Sequence, residues 1–318
     1  MRLLLTLAAS VALASLLVVL AGCSGDSSSV GTAELSPEQQ DIQALLEASE
    51  YALPEAFHSD EEYQVQDGSS LTQYCEEGED VLPWVRFFRV MRGRPWNQYI
   101  IRIPGSGGPG TADVKILQHI SGAFVVDNTD DAIINPFYRR LGSIAVTHFM
   151  LNKLEGVWRI AKISPTDIVS TNDGGTTIHI EGIRTQGSSR TYPQTIIMSA
   201  DSLLALDRLP AFAPGDTVMV AAKALNRNED GSWLFLHVHC AHHASFFHGW
   251  VPFVRDDSDP TMFYARWILP PGVATPRVFH MAVDAIDWNT LFGDETAVYN
   301  SRIWSVPCVL GFSLLVEK

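Results

Sequence analysis

The chain lacks positive charge where its negative charge is densest. Between Arg2 and Arg86 there is no lysine or arginine, while residues 24–85 hold fifteen acids, from Asp26 through Glu34, Glu61, Glu62 and Glu76 to Asp80. From Arg86 to Lys318 acids and bases balance at 21 each, so the whole net charge of −14 is N-terminal. With no basic patch to displace the counterions of a phosphate backbone, nucleic acid is not expected as a partner. After residue 21 no apolar stretch approaches the roughly 20 residues that a spanning helix needs. Neither G-x-S-x-G nor H-E-x-x-H occurs, so the usual sequence signs of a serine hydrolase or a zinc protease are missing. No internal repeat is present. Cysteine is scarce, with four in 318 residues.

What is present begins at the N-terminus. Arg2 gives a minimal positive start, Leu3 to Ala21 is apolar apart from Thr6, Ser10 and Ser15, and small residues precede Cys23. This is the layout of a secretion signal over residues 1–22. The ending Leu20-Ala21-Gly22-Cys23 and the polar Ser24-Gly25-Asp26-Ser27-Ser28-Ser29 distinguish it from a spanning helix of similar length. The four residues resemble the lipobox of bacterial lipoproteins. The resemblance implies cleavage before Cys23, acylation of its thiol by a palmitate-type chain, and a membrane partner held through that lipid. Ser24 in place of Asp implies, by the same resemblance, an outer-membrane address facing the periplasm or the cell surface in a host with two membranes. The acids beside the anchor read as a solvated helix face and a polar spacer. On an anionic leaflet they would also hold the body away over about a Debye length.

Residues 23–35, rich in Ser, Gly and Thr, read as a flexible tether. A helix is expected next: Ser36 suits the N-cap, Pro37 the first helical position and Gln39 the capping box. Ile42, Leu45, Leu46, Ala52 and Leu53 form its apolar stripe, and Pro54 ends it. From Trp84 the period changes to two, with strands expected at 84–91, 98–103, 113–127, 143–154 and 157–163, the last two joined by a tight turn at Glu155-Gly156. The hairpin from Thr147 to Ile160, with Gly156, Trp158 and Ile160 at its centre, resembles the closing strands of the nuclear-transport-factor-2-like (SnoaL-like, cystatin-like) superfold. That resemblance implies an α+β domain over residues 36–170, a helix packed on a curved antiparallel sheet with a cone-shaped pocket.

Residues 171–176, Thr-Asn-Asp-Gly-Gly-Thr, read as a linker. Beyond it, short strands expected at 177–186, 217–226, 233–240, 262–269, 278–285 and 304–310 resemble an all-β, immunoglobulin-like sandwich over residues 177–318. Cys240 and Cys308 fall on separate strands of this half and form the expected disulfide, since an envelope location permits one. Small buried thiols are the alternative.

The densest chemical cluster is His237-Val238-His239-Cys240-Ala241-His242-His243, with His248 beyond. On a strand His237 and His239 share a face, so with His242 and His243 they form a candidate zinc or copper site. Against it stands an exposed, histidine-rich strand edge and loop. Gly105 to Gly110 fits G-x-G-x-x-G, but the residues after it alternate like a strand, so a hairpin loop is expected and not a nucleotide site. Asn226 to Gly231 imitates the start of an EF-hand loop, yet its twelfth position is His237, so a hairpin turn is expected. Asp127, Asp130 and Asp131, and likewise Asp256, Asp257 and Asp259, read as solvated loops with at most weak calcium affinity. In the pocket-forming superfold, enzymes use residues on strands facing the cone. The residues available here are Tyr99, His119 and His148. Phe246, Phe247 and Trp250 are candidates for an exposed aromatic strip that binds a glycan or a protein. No complete catalytic set emerges. The expectation is therefore a lipid-anchored envelope protein with a non-enzymatic binding or assembly role, an unidentified protein or glycan partner, and no obligatory cofactor. A metal-binding protein and a small-molecule carrier or enzyme are the alternatives.

Overall fold

The computed structural model describes residues 35–52, 64–66, 85–104, 110–129, 133, 135–172, 175–189, 192–228, 231–239, 249–269, 271 and 277–311. The chain divides into two units, Met1–Glu38 and Gln39–Lys318, and the sheets belong to the second. The lipobox-like residues 20–23 and the expected tether as far as residue 34 lie outside the described residues.

Helix α1 (Pro37–Glu47) starts at the expected proline and is followed by a 3-10 turn at Glu50–Ala52. Its stripe buries Ile42 and Leu46 completely. The first strands are β1 (Gln64–Gln66), β2 (Val85–Met91), β3 (Trp96–Arg102), β4 (Thr111–Asp127), β5 (Phe137–Leu154), β6 (Val157–Ile163) and β7 (Thr166–Ser170). β5 and β6 are joined by Glu155 and Gly156, with φ of 51° and 83°. Two consecutive positive φ values are what a type I′ hairpin turn demands. Then follow β8 (Ile178–Gly187), β9 (Thr195–Ile197), β10 (Leu204–Ala205), β11 (Ala211–Phe212), β12 (Thr217–Asn226), β13 (Ser232–His239), β14 (Gly249–Pro252), β15 (Val254–Arg255), β16 (Met262–Ile268), β17 (Arg277–Asp287), the short helix α2 (Trp288–Phe292) and β18 (Ser301–Leu310).

These strands form two sheets. The larger has thirteen strands and follows the path β1-β2-β4-β5-β7-β18-β17-β13-β14, with β3 beside β4 and β6 beside β5. The smaller runs β15-β16-β12-β8-β9. The large sheet curls: Phe87 on β2 and Phe235 on β13 meet with ring centroids 5.1 Å apart, although five strands lie between them along the path. Inside the curl, Phe87, Phe124, Leu141, Ile168, Phe235, Ile303 and Tyr299 pack as one cluster. On the other side of β13, β17 and β18, residues such as Leu236, Met281, Val283, Trp304 and Val306 pack against Ile180, Val218, Val220 and Phe263 of the smaller sheet. A third cluster joins Ile42 and Leu46 to Val114, Phe149, Leu151 and Trp158.

The expected α+β cone domain followed by a separate immunoglobulin-like sandwich is corrected by this architecture. The described residues are mostly β, in a curled antiparallel sheet and a second sheet. Their α-helical part is limited to the short α1, which adds two buried side chains to the third cluster and forms no layer of its own, and to the single turn of α2. One sheet also runs through both halves: Asp167, Ile168 and Val169 of β7 pair in register with Trp304, Ile303 and Arg302 of β18. The physical reason is visible in burial. β18 is buried at nearly every position, because one face meets the smaller sheet and the other lines the curl. A strand covered on both faces reads as a continuous apolar run and carries no alternation to name its neighbours.

Candidate functional site

Strand register places the expected pocket residues apart. Tyr99 pairs with Ile116, His119 with Trp96 and Ile144, and His148 with Lys115. Alternation along β4 therefore puts Tyr99 on one face and both histidines on the other. The histidines sit four β4 positions apart, a separation of about 13 Å. His119 stacks on exposed Trp96 at 4.8 Å between centroids. His148 Nε2 lies 3.8 Å from Asp201. Its pKa is lowered, first by partial burial and then by Lys115, with Asp201 opposing. Tyr99 packs beside the α1 cluster. No shared pocket is formed by the three.

β13 is not an exposed edge. Residues 235–238 pair with β14 on one side and β17 on the other. His237 is buried, with Nε2 3.0 Å from Asp284 Oδ2. His239 pairs in register with His280. His242, His243, His248, Phe246, Phe247 and Cys240 lie outside the described residues, as do Asp130, Asp131 and Cys75. Among the described residues no group of three or more His, Cys, Asp or Glu has metal-binding geometry. Cys308 is a free thiol, fully buried between the two sheets, and burial pushes its pKa well up. Trp304 and Trp267 belong to that same core.

β3 and β4, which flank the G-x-G-x-x-G run in sequence, pair antiparallel; residues 105–109 of the run lie outside the described residues. Asn226 to Gly231 does not close a hairpin: β12 belongs to the smaller sheet and β13 to the larger, so the turn is a corner between sheets. Asp256 and Asp259 each spend one oxygen on their own turns, accepting from Ser258 and Thr261. Asp127 does the same for Thr129.

Two constellations were not anticipated. The first lies inside the curl. Arg89 Nη2 donates to Asp284 Oδ2 at 2.6 Å and Arg89 Nε to Tyr299 Oη at 3.1 Å, while Tyr299 Oη contacts Ser301 Oγ at 2.5 Å. The guanidinium also lies over the Phe124 and Tyr299 rings. Burial alone would raise the Asp284 carboxyl, but the Arg89 charge and the His237 hydrogen bond hold it below the usual range. Burial lowers His237, against the pull of Asp284. The set is thus an ionised Arg–Asp pair with a neutral imidazole, closed off from solvent. Its sequence signal is partial: Asp284 is a lone charge in the apolar run Met281–Ile286, whereas Arg89 shares Val85–Met91 with Arg86.

The second is an open polar cleft of about 450 Å³ between the β12–β13 corner, the segment after α2, and Gly175 with Thr177. Asp287 sits at its wall and caps α2: Oδ1 accepts from the Asn289 N–H at 2.9 Å, and Oδ2 accepts from the side-chain amides of Asn226 and Asn228, both at 2.7 Å. Asn226 also donates to Gly231 O. The facing segment is gathered by buried Arg139, whose guanidinium donates to the carbonyls of Thr290, Gly293, Asp294 and Ala297 at 2.7–2.9 Å. Thr290 Oγ1 donates to Val298 O and accepts from Asn300 N. Asp294 accepts from Thr296 N and Oγ1, which lowers its pKa. The result is a rigid concavity of amides, hydroxyls, carbonyls and two carboxylates. Such a lining offers hydrogen-bonding groups, and its described residues include no nucleophile with an adjacent base. No protein-family model matches the chain, and neither a curated protein nor a solved structure matches it.

Proposed function

We propose that the protein is a lipid-anchored component of a bacterial cell envelope, held through Cys23, with a binding or assembly role and no catalytic turnover. The observation that carries this reading is the ending Leu20-Ala21-Gly22-Cys23 of an apolar leader, followed at once by a polar spacer. The dispersed positions of Tyr99, His119 and His148 support the non-catalytic half. So does the Arg89–Asp284–His237 set, which is too enclosed to meet a substrate. The polar cleft beside Asp287 supports binding. An outer-membrane position belongs to the same proposal and rests on Ser24.

Metabolic labelling with a clickable palmitate analogue tests the anchor. Label is expected on the wild type in the membrane fraction and absent from Cys23→Ala, which keeps its leader. An unlabelled wild type in the soluble fraction would overturn the reading.

A further inference from the structure

We infer that the cleft beside Asp287 is a binding site for a neutral, hydroxyl-rich ligand, that is, a small saccharide. This rests on the binding half of the function proposed above and is independent of the lipid. Its volume of about 450 Å³ falls in the range of small-molecule sites. The lining selects the ligand class. It contains no lysine or arginine, so an anion would lose its hydration against Asp287 and Asp294 with no counter-charge in return. A cation is also poorly served. Asp287 already receives three hydrogen bonds, and the Arg139 guanidinium stands behind the segment that carries Asp294.

What the lining offers instead is a mixture of fixed donors and acceptors. Asn228 is oriented by its bond to Asp287, which leaves its own carbonyl oxygen as an acceptor. The Asp294 carboxylate adds acceptors and Thr177 a hydroxyl, whereas Thr296 Oγ1 already donates to Asp294 and Asn300 Nδ2 to Thr177 Oγ1. A sugar hydroxyl donates and accepts at once, so it matches such a mixture where a one-sign ion does not. Val298, half exposed in the lining, gives the C–H face of a ring an apolar surface. Because Arg139 and Thr290 already hold the wall in place, little ordering is left for the ligand to impose.

The test uses the full-length protein in a zwitterionic detergent, since sugar-based detergents would compete. It is applied to an array of neutral, acidic and amino saccharides, and the strongest neutral ligand is then titrated calorimetrically. Neutral saccharides are expected to bind in preference to both charged classes. Val298→Arg and Asp294→Ala are expected to weaken that binding by about tenfold or more, while Met219→Arg, at an exposed side chain on the interior strand β12 of the smaller sheet, leaves it unchanged. Melting curves establish that the variants are folded. The inference is overturned if no neutral saccharide binds, if charged saccharides are preferred, or if folded Val298→Arg binds as the wild type does. None of these outcomes alters the palmitate result, so a failure here is separable from a failure of the anchor.

Discussion

Arg89 Nη2 lies 2.6 Å from Asp284 Oδ2, joining β2 to β17 across the interior of the curled sheet although 195 residues separate the two in sequence. Both side chains are almost wholly buried, at 1% and 0% exposure. Such a pair offsets a large desolvation cost, so removing one partner is far worse than removing both. Asp284→Ala is expected to cost about 3–5 kcal/mol in urea unfolding, because it strands a buried guanidinium. The double variant Arg89→Met with Asp284→Leu is expected to cost less than Asp284→Ala alone. A double variant at least as unstable as the single would show that the pair itself, and not the stranded charge, carries the effect.

Acid is expected to destabilise the fold in two stages. His237 and His280 are buried, and burial lowers both pKa values; Asp284 opposes this at His237, and the carbonyl and charge of Glu50 oppose it at His280. As pH falls through about 6.5 the unfolded chain takes up protons that the folded chain refuses, so stability drops by up to about 1.4 kcal/mol per pH unit per histidine. The lowered Asp284 carboxyl adds a further loss toward pH 4 and below. Urea midpoints between pH 8 and pH 5 measure this. His280→Gln, which retains a donor for Glu50 O, is expected to flatten the slope. A midpoint independent of pH over that range would contradict the assignment of neutral buried imidazoles.

Gly122 is required by space. It pairs with Met91, and a Cβ at this position would stand 2.1 Å from the Val90 carbonyl oxygen, a backbone atom that cannot swing aside. Gly122→Ala is therefore expected to separate β2 from β4 locally and to cost about 2 kcal/mol or more. Thermal melts give the size of the loss, and amide exchange on β2 shows whether it is local. Wild-type stability in this variant would refute the close approach.

The β5–β6 turn can be improved. Glu155 adopts φ of 51° ahead of Gly156 at 83°, and a non-glycine side chain there costs about 1 kcal/mol. Glu155→Asn, which tolerates the left-handed region, is expected to raise stability by about 0.5–1 kcal/mol. No gain in melting temperature would count against a strained Glu155.

Much of the strand pattern was legible because alternation is a local property. β4, β6 and β12 fall close to the expected bounds, β5 starts six residues earlier than expected, and Glu155-Gly156 turns where a tight turn was expected. Helix α1 begins at Pro37 for equally local reasons. The sites were less legible. The histidine run drew notice by its density, yet His237 proved to be an interior partner of Asp284. Asp287 and Arg139, which build the cleft, carry no spacing signal, because their partners are backbone carbonyls and amides from distant segments. A lone charge in an apolar strand is the cue that marks Asp284, while Arg89 shares its strand with Arg86.

By itself, the sequence determined the elements and the distribution of charge: a base-free acidic N-terminal stretch, an apolar run ending in Leu20-Ala21-Gly22-Cys23, and a chain of strands with their turns. These follow from periodicity, turn chemistry and composition, which act over a few residues. Tertiary structure alone decided that β7 pairs with β18, so that both halves share one sheet. It also decided that β13, β17 and β18 are covered on two faces, and that Arg89 meets Asp284. Strand pairing depends on which surfaces remain to be buried once the whole chain collapses, and no window of a few residues contains that information.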